Sequence, residues 1–270
     1  MRPIRDLDRS ATVAGVPELL EVEIYRRQGE VLVGQRIARL VVQDPAYWRS
    51  DLPPAIFEGA VVERVRRIGK LMVIDTDVAR LGVRFGMTGR LLVDGVASID
   101  RLEYASATDR PEWHRVAVHT TSGLEMVVTD PRRLGWVEPD PDENRLGVDA
   151  ASVTLADLRR VLDDGRGPLK ARLMDQHRLA GLGNLLTDEI LWRSGLDPTR
   201  AAGGLDPAAS RRLHRHLHRV LVDLGERGGS HTGDLQAHRV PGGRCPRDGE
   251  PLRRSTIGGR TTWWCPHHQR

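Results

Sequence analysis

The stretch Gly15-Val16-Pro17-Glu18-Leu19-Leu20-Glu21-Val22-Glu23 sets a proline directly before a carboxylate, at the mouth of a helical pattern. Two chemistries are open to Pro17. Inside a chain it suits the first helical position, where its missing N–H costs nothing. Glu18, Glu21 and Glu23 then crowd the turns in which the positive end of the helix dipole favours carboxylates. At a chain start, Pro17 would carry a secondary amine. That requires translation to begin at Val16, with GTG read as initiator methionine and that methionine trimmed before proline. Such an amine attacks electrophilic carbon and forms an iminium, the covalent chemistry otherwise supplied by lysine. Glu18 beside it is placed to move protons.

Five further stretches carry chemistry. Ala180-Gly181-Leu182-Gly183-Asn184 joins small residues to a helix start. Small residues let a phosphate approach the backbone, and the helix N-terminus offers it unpaired N–H groups. Asn184 would donate to that phosphate or simply cap the helix. Gly86-Met87-Thr88-Gly89-Arg90 and Asp130-Pro131-Arg132-Arg133-Leu134-Gly135 put Met87, Arg132 and Leu134 on loops. Such side chains fit a wedge that fills the hole left when a base leaves the stack. The plainer alternative keeps Met87 and Leu134 in the core and the arginines in solvent. Cys245-Pro246-Arg247-Asp248 and Cys265-Pro266-His267-His268 form two knuckles with metal-finger spacing, giving Cys245, Asp248, Cys265 and His268 as ligands for zinc. His267 is an alternative to His268. A metal-free hairpin packed on Trp263 and Trp264, with Arg260 at its tip, is the other reading. His214, His216 and His218 lie on a basic helix and read as surface or DNA-facing groups rather than metal ligands.

The elements that must hold these groups follow from composition and periodicity. The 270 residues suffice for two ordinary domains. Aromatics are 4%, so the core must rest on Leu, Val, Ile and Ala. Net charge is +4, but residues 151–270 hold 20 Arg/Lys against 13 Asp/Glu, so the basic surplus lies in the C-terminal half. That imbalance suits a polyanionic partner. Lys70 and Lys170 are the only lysines, a bias expected of a GC-rich genome, in which GTG starts are common. Two cysteines do not make a secreted disulfide framework. No apolar run is long enough for a membrane span. Residues 1–15 lack a signal-peptide core and read as a disordered leader or an over-called start. A bacterial cytoplasm, in association with the nucleoid, is the expected location.

Period-two patterns over Val61–Asp75 and Leu81–Asp94, and a Ser122-Gly123 turn within Val116–Val128, predict short antiparallel strands. They imply an N-terminal β-sandwich over 16–138. No Gly-rich phosphate loop leads from strand to helix, which argues against nucleoside-triphosphate chemistry. A Pro- and Asp-rich linker spans 139–152. Helical periodicity follows at Leu155, Leu158, Val161 and Leu162, then over 168–176, from Asn184 to a cap at Gly195, and from Asp206-Pro207 to Gly228-Gly229. The expected fold is α+β: sandwich, helical domain at 153–230, and a hairpin at 240–270.

In this order the signals resemble the formamidopyrimidine-DNA glycosylase / endonuclease VIII family over Val16–His268. The resemblance implies an N-terminal proline nucleophile at Pro17 and a proton donor at Glu18. It implies a catalytic, phosphate-contacting lysine at Lys70 within Arg67-Ile68-Gly69-Lys70. Met87, Arg132 and Leu134 become void fillers. Asn184 becomes the phosphate-holding residue of a helix–two-turn–helix motif. Lys170, just before Leu173-Met174-Asp175-Gln176, joins the DNA-binding set. Arg260, in Gly258-Gly259-Arg260-Thr261, serves phosphate binding and the later elimination. The implied protein is a monomeric DNA glycosylase with AP lyase activity. It would act on oxidised bases in double-stranded DNA through a Schiff base and β,δ-elimination, and would carry one structural zinc. Leu20 stands where proline is usual, Leu134 where phenylalanine is usual, and Asp248 and His268 where cysteines are usual. The stretch 229–245 looks shorter than in members that close a loop over an oxidised purine, so the preferred lesion stays open. Two rival readings are a damaged-DNA binding protein of the same fold with a blocked Pro17 nitrogen, and a zinc-ribbon regulator of fixed sequence preference.

Overall fold

The computed structural model describes residues 17–99, 109–163 and 165–270; the expected leader and Val16 lie outside the described residues. The first helix, α1 (Leu19–Gly29), starts two residues after Pro17. Glu18 is its N-cap, in extended backbone, so Pro17 precedes the helix instead of opening it as the sequence pattern suggested. The carboxylate of Glu21 accepts from the Glu18 N–H at 2.9 Å and so closes the helix start. Leu19, Leu20, Val22 and Tyr25 form the buried side of α1.

Among the described residues, ten short strands follow in the N-terminal half and the link after it. They are β1 (Ile37–Val42), β2 (Val62–Ile68), β3 (Leu71–Thr76), β4 (Arg80–Arg84), β5 (Arg90–Val93), β6 (Val96–Ala97), β7 (His114–Thr120), β8 (Glu125–Thr129), β9 (Trp136–Pro139) and β10 (Val148–Asp149). One antiparallel sheet has the order β1-β7-β8-β5-β6, the other β2-β3-β4-β9. Alternation puts Leu40, Val116, Val118 and Met126 of the first sheet against Val65, Met72, Ile74 and Val83 of the second in one core, closed by Val22 and Tyr25 of α1.

The second half is helical: α2 (Leu155–Leu162), α3 (Leu169–Leu173), the short β11 (Leu179–Ala180), α4 (Asn184–Ser194) and α5 (Pro207–Glu226). Asp206 caps α5 through the N–H groups of Ala208 and Ala209, with Pro207 at the first position. Gly195, at φ +64°, ends α4 in the left-handed conformation. The helix expected over 168–176 is shorter, because the Gln176 side chain folds back. Its amide donates to the carbonyls of Met174 and Leu182 and accepts from Gly181 N–H, building a turn in place of another helical turn. Leu158, Leu162, Leu169, Leu186, Leu213 and Leu217 pack in a second core that Leu19 and Leu20 of α1 also enter. A hairpin of β12 (Arg253–Ile257) and β13 (Arg260–Trp264) closes the described chain. Among the described residues, no helix is long and apolar enough to cross a membrane.

The two halves meet at a glycine seam. A Cβ on Gly69, at φ +58°, would stand 2.7 Å from the Ala180 Cβ, and one on Gly181 would stand 2.6 Å from Leu19 Cδ1. The parallel pair β10–β11 runs beside this seam. Asp149 fastens it: its carboxylate accepts from Gly69 N–H at 2.6 Å and from Arg67 Nη1 at 2.7 Å.

Candidate active site and nucleic-acid interface

Glu18 is fully buried. Its carboxylate accepts from the backbone N–H groups of Gly183 at 2.7 Å, Leu185 at 2.8 Å and Leu186 at 3.2 Å. These are the donors at the start of α4 that the sequence reading assigned to a phosphate, so that expectation is corrected. The glycines are small for the same reason: a Cβ on Gly183 would lie 2.3 Å from Glu18 Cδ. The anion at this helix N-terminus is the protein's own carboxylate. Burial raises the Glu18 pKa above the ordinary carboxylate value, while the nearby Lys70 charge and the backbone bonds pull it back. Lys70 sits on the β2–β3 turn held by Asp149. Burial lowers its pKa, Glu18 and Glu21 oppose that, and the Arg260 charge adds to the lowering. Glu18, which Pro17 directly precedes, is thus within electrostatic reach of Lys70, and Lys70 of Arg260 on the hairpin.

Lys170 is placed differently from its expected role at the DNA surface. Its side chain is fully buried, 2.7 Å from Asp188 Oδ1. Its ammonium also donates to Asn184 Oδ1 at 2.7 Å, Thr262 Oγ1 at 2.7 Å and the Thr261 carbonyl at 3.2 Å. Its pKa is lowered by burial and supported by Asp188. A buried ammonium with these partners does not reach a phosphate; it orients the Asn184 amide. With its oxygen held by Lys170, the half-buried Asn184 is left with its NH2 as the outward group, a donor suited to a phosphate oxygen. The same lysine anchors β13 next to Arg260. The hairpin turn uses Gly258 and Gly259, both at positive φ, and a Cβ on Gly258 would lie 3.0 Å from the Ala171 Cβ of α3. Arg260 is exposed there.

The two loops form one unit. Asp130 is fully buried. Its carboxylate accepts from the N–H groups of Leu134 and Gly135, each at 2.8 Å, and of Arg132 at 3.2 Å. The Thr88 hydroxyl of the other loop donates to it as well. Gly86, at φ +61°, lets that loop lie against Leu134, whose carbonyl carbon would be 2.5 Å from an added Cβ. Leu134 is 40% exposed. Arg132 is exposed and Met87 half-buried, so none of the three is a core residue. Arg133, at φ +57°, is instead tied to Asp44, with its Nε 2.6 Å from Oδ2. Tyr25 links this unit to α1: its ring lies 4.5 Å from that of Phe85, and its hydroxyl donates to the Gly89 carbonyl at 3.4 Å.

One ligand atom from each of Cys245, Asp248, Cys265 and His268 lies within 4.8 Å of the others, a cluster able to hold a metal ion. Cys265 Sγ is 3.3 Å from Asp248 Oδ2, His268 Nδ1 is 3.0 Å from the same oxygen, and Cys245 Sγ is 3.6 Å from His268 Nδ1. Tetrahedral zinc with bonds of about 2.0–2.3 Å sets its ligands about 3.3–3.8 Å apart; two of these separations lie in that range and the 3.0 Å one needs to open by about 0.3 Å, so the donor set fits. The surroundings fit too. His268 Nε2 lies 3.2 Å from the Trp192 carbonyl, which fixes its proton there and leaves Nδ1 for a metal, and the Trp192 indole donates to Cys245 Sγ at 3.3 Å. Burial raises the Cys265 thiol to about 11, so a cation is what would keep it as thiolate at neutral pH. The side chain of His267 is 62% exposed and that of His268 13%, which leaves His267 at the rim.

Several supports were not read from the sequence. Thr88, Asp149, Asp188 and Trp192 act through partners far along the chain, and Asp130 joins its own loop to the distant Thr88; a lone Asp or Trp in a pattern carries no sign of such partners. The buried Glu21 is another: it accepts from both the N–H and the hydroxyl of Ser230, at 2.6 and 2.7 Å.

Comparison with known proteins agrees with this architecture. Residues 16–137 match the formamidopyrimidine-DNA glycosylase N-terminal domain. Residues 139–234 match the formamidopyrimidine-DNA glycosylase H2TH domain. A formamidopyrimidine-DNA glycosylase of Thermus thermophilus is 34% identical over 280 residues, covering 93% of this chain and 97% of its own. That of Geotalea uraniireducens is 34% identical over 281 residues, covering 94% and 100%. The crystal structure of the MutM (Fpg) protein from Thermus thermophilus superposes with a TM-score of 0.77 at 32% identity, over 94% of this chain and 98% of that one. The Lactococcus lactis Fpg, in complex with DNA containing an abasic site, superposes with a TM-score of 0.78 at 22% identity over 94% and 99%, a likeness of fold alone. With both domain models matched in order and relatives aligned over nearly their whole length, the chain belongs to the formamidopyrimidine-DNA glycosylase family.

Proposed function

We propose that this chain is a base-excision repair enzyme. It removes oxidised bases from double-stranded DNA and then cleaves the strand at the abasic site, with Pro17 as a free-amine nucleophile. The observation that carries this reading is the buried carboxylate next to Pro17, seated on the helix that presents Asn184 and lying beside Lys70. Arginines and Asn184 track the duplex through its phosphates, so binding weakens as salt rises. The damaged nucleotide leaves the stack, and Met87, Arg132 and Leu134 occupy the gap, offsetting part of an unstacking cost of roughly a few kcal/mol per step. The Pro17 nitrogen attacks the anomeric carbon of the sugar, and the bond to the base breaks. Glu18, its pKa raised by burial, supplies the proton for ring opening. The resulting iminium acidifies the adjacent sugar C–H, and the two flanking phosphates leave in turn. Lys70 and Arg260 stabilise the phosphate charge.

Zinc, held by Cys245, Asp248, Cys265 and His268, would supply a structural clamp at the base of the hairpin. The protein acts as a monomer at the bacterial nucleoid in this reading. A second reading is favoured by one observation: in the chain as numbered, the Pro17 nitrogen is bonded to Val16. The same fold would then bind damaged DNA without cutting it. The test is the intact mass of the protein expressed from its own gene, followed by borohydride trapping on abasic-site DNA. A mass beginning at Pro17 and a covalent adduct are expected. A mass beginning at Met1 with no adduct would replace the lyase by the binding protein.

A further inference from the structure

His214 and His218 stand one turn apart on α5 and aim their Nε2 atoms at a common point. Each Nε2 is 2.9 Å from the Val153 carbonyl oxygen, and the two nitrogens are 3.1 Å apart. The rings meet edge-on at 4.5 Å and both residues are half-buried. A neutral imidazole has one N–H and one lone pair. If both Nε2 atoms are protonated, the two lone pairs of the one oxygen accept both N–H groups, with the hydrogens about 2 Å apart. If only one is, the lone pair of the other faces the oxygen's lone pair across 2.9 Å. A cation at the centre satisfies all three lone pairs at once. On a six-coordinate metal with bonds of about 2.0–2.1 Å, ligands at right angles lie about 2.8–3.0 Å apart, close to the size of this triangle.

We propose that His214, His218 and the Val153 carbonyl form a second metal site, separate from the Cys245 cluster. It would take a divalent d-block cation with near-right-angle coordination, such as Ni2+. Two imidazoles select such an ion over Ca2+ or Mg2+, which require oxygen ligands. The next histidine along the helix is a contrast. His216 is held below its ordinary pKa by burial and by Arg215, Arg219, Arg247 and Arg193, so it faces an arginine cluster that repels cations. His218 borders a cleft in which Glu23 and Glu226 balance Arg27 and Arg67. Val153 directly precedes Thr154, the cap of α2, at the end of the link between the halves. A bound cation therefore fastens that link to α5.

The test is a calorimetric titration of Ni2+ into the zinc-loaded full-length protein. One Ni2+ per chain is expected in the wild type and in His216→Ala, and none in His214→Ala or His218→Ala. His218→Gln retains a donor for the Val153 carbonyl while losing the metal ligand. It should keep the wild-type circular dichroism spectrum and lose the site. No Ni2+ uptake by the wild type, undiminished uptake by His218→Gln, or equal loss in His216→Ala would overturn the assignment.

Discussion

Replacing Lys170 by methionine separates a buried organiser from a DNA contact. The substitution keeps most of the volume but removes the ammonium 2.7 Å from Asp188. Asp188 is 2% exposed and would keep only one cationic partner, Arg239 at 3.0 Å. Breaking a buried pair by removing one member costs roughly 3–5 kcal/mol. Because Arg239 stays, a loss of about 3 kcal/mol is expected in urea unfolding. The double variant Lys170→Met/Asp188→Asn should cost less than the sum of the singles, with a coupling of about 0.5–3 kcal/mol. Asn184 also loses the bond that orients it, and a hydrogen bond of about 1 kcal/mol corresponds to roughly fivefold weaker binding of abasic-site duplex. The salt dependence decides between the readings. A lysine on a phosphate contributes about 0.9 to the slope of log K against log salt, whereas a buried one contributes none. Fluorescence anisotropy at several salt concentrations should therefore give parallel lines for wild type and variant. A slope lower by about one, with stability unchanged, would refute the buried role and return Lys170 to the DNA surface.

Asp130→Ala should release both loops: unpaired buried N–H groups cost about 1–3 kcal/mol each, so stability in urea should fall by about 3 kcal/mol or more. A fluorescent base analogue should then no longer report extrusion. Stripping metal with a chelator should loosen the hairpin and lower DNA affinity, with recovery when zinc is returned; unchanged affinity in metal-free protein would separate the cluster from DNA binding. Because Cys265 must lose its proton to bind metal, retention measured by metal analysis should weaken as pH falls. The pKa of Glu18 is raised in the folded state, so the native protein binds the extra proton. Its contribution to stability should fall as pH rises above the ordinary value of 4.5 through the folded value. The stability of Glu18→Gln relative to wild type should accordingly rise over that window in parallel urea titrations, and a flat difference would contradict the raised value.

The periodicities over Val61–Asp75, Leu81–Asp94 and Val116–Val128 and those of the helices α2, α4 and α5 are local, so they were legible along the chain, whereas β1 and β9 were not read from it. So was the knuckle spacing, since four ligands in two short turns need only one hairpin to meet. The sequence also placed Met87, Arg132 and Leu134 on loops, because glycine and proline mark turns whatever packs around them. It could not say why Gly181 and Gly183 are glycines. A close approach by phosphate and one by Leu19 and Glu18 leave the same mark, and only the folded chain shows the latter. Lys170 reads as a cation in any sequence, but its burial depends on Asp188 and on Thr262 of a distant hairpin. His214 and His218 were visibly on one helix face. The oxygen they converge on belongs to Val153, 61 residues before His214. Residue type and local spacing thus determined which groups were available for chemistry and which elements carry them. Tertiary structure decided which of those groups face a ligand and which serve one another, because burial and long-range partners set a side chain's charge, orientation and reach.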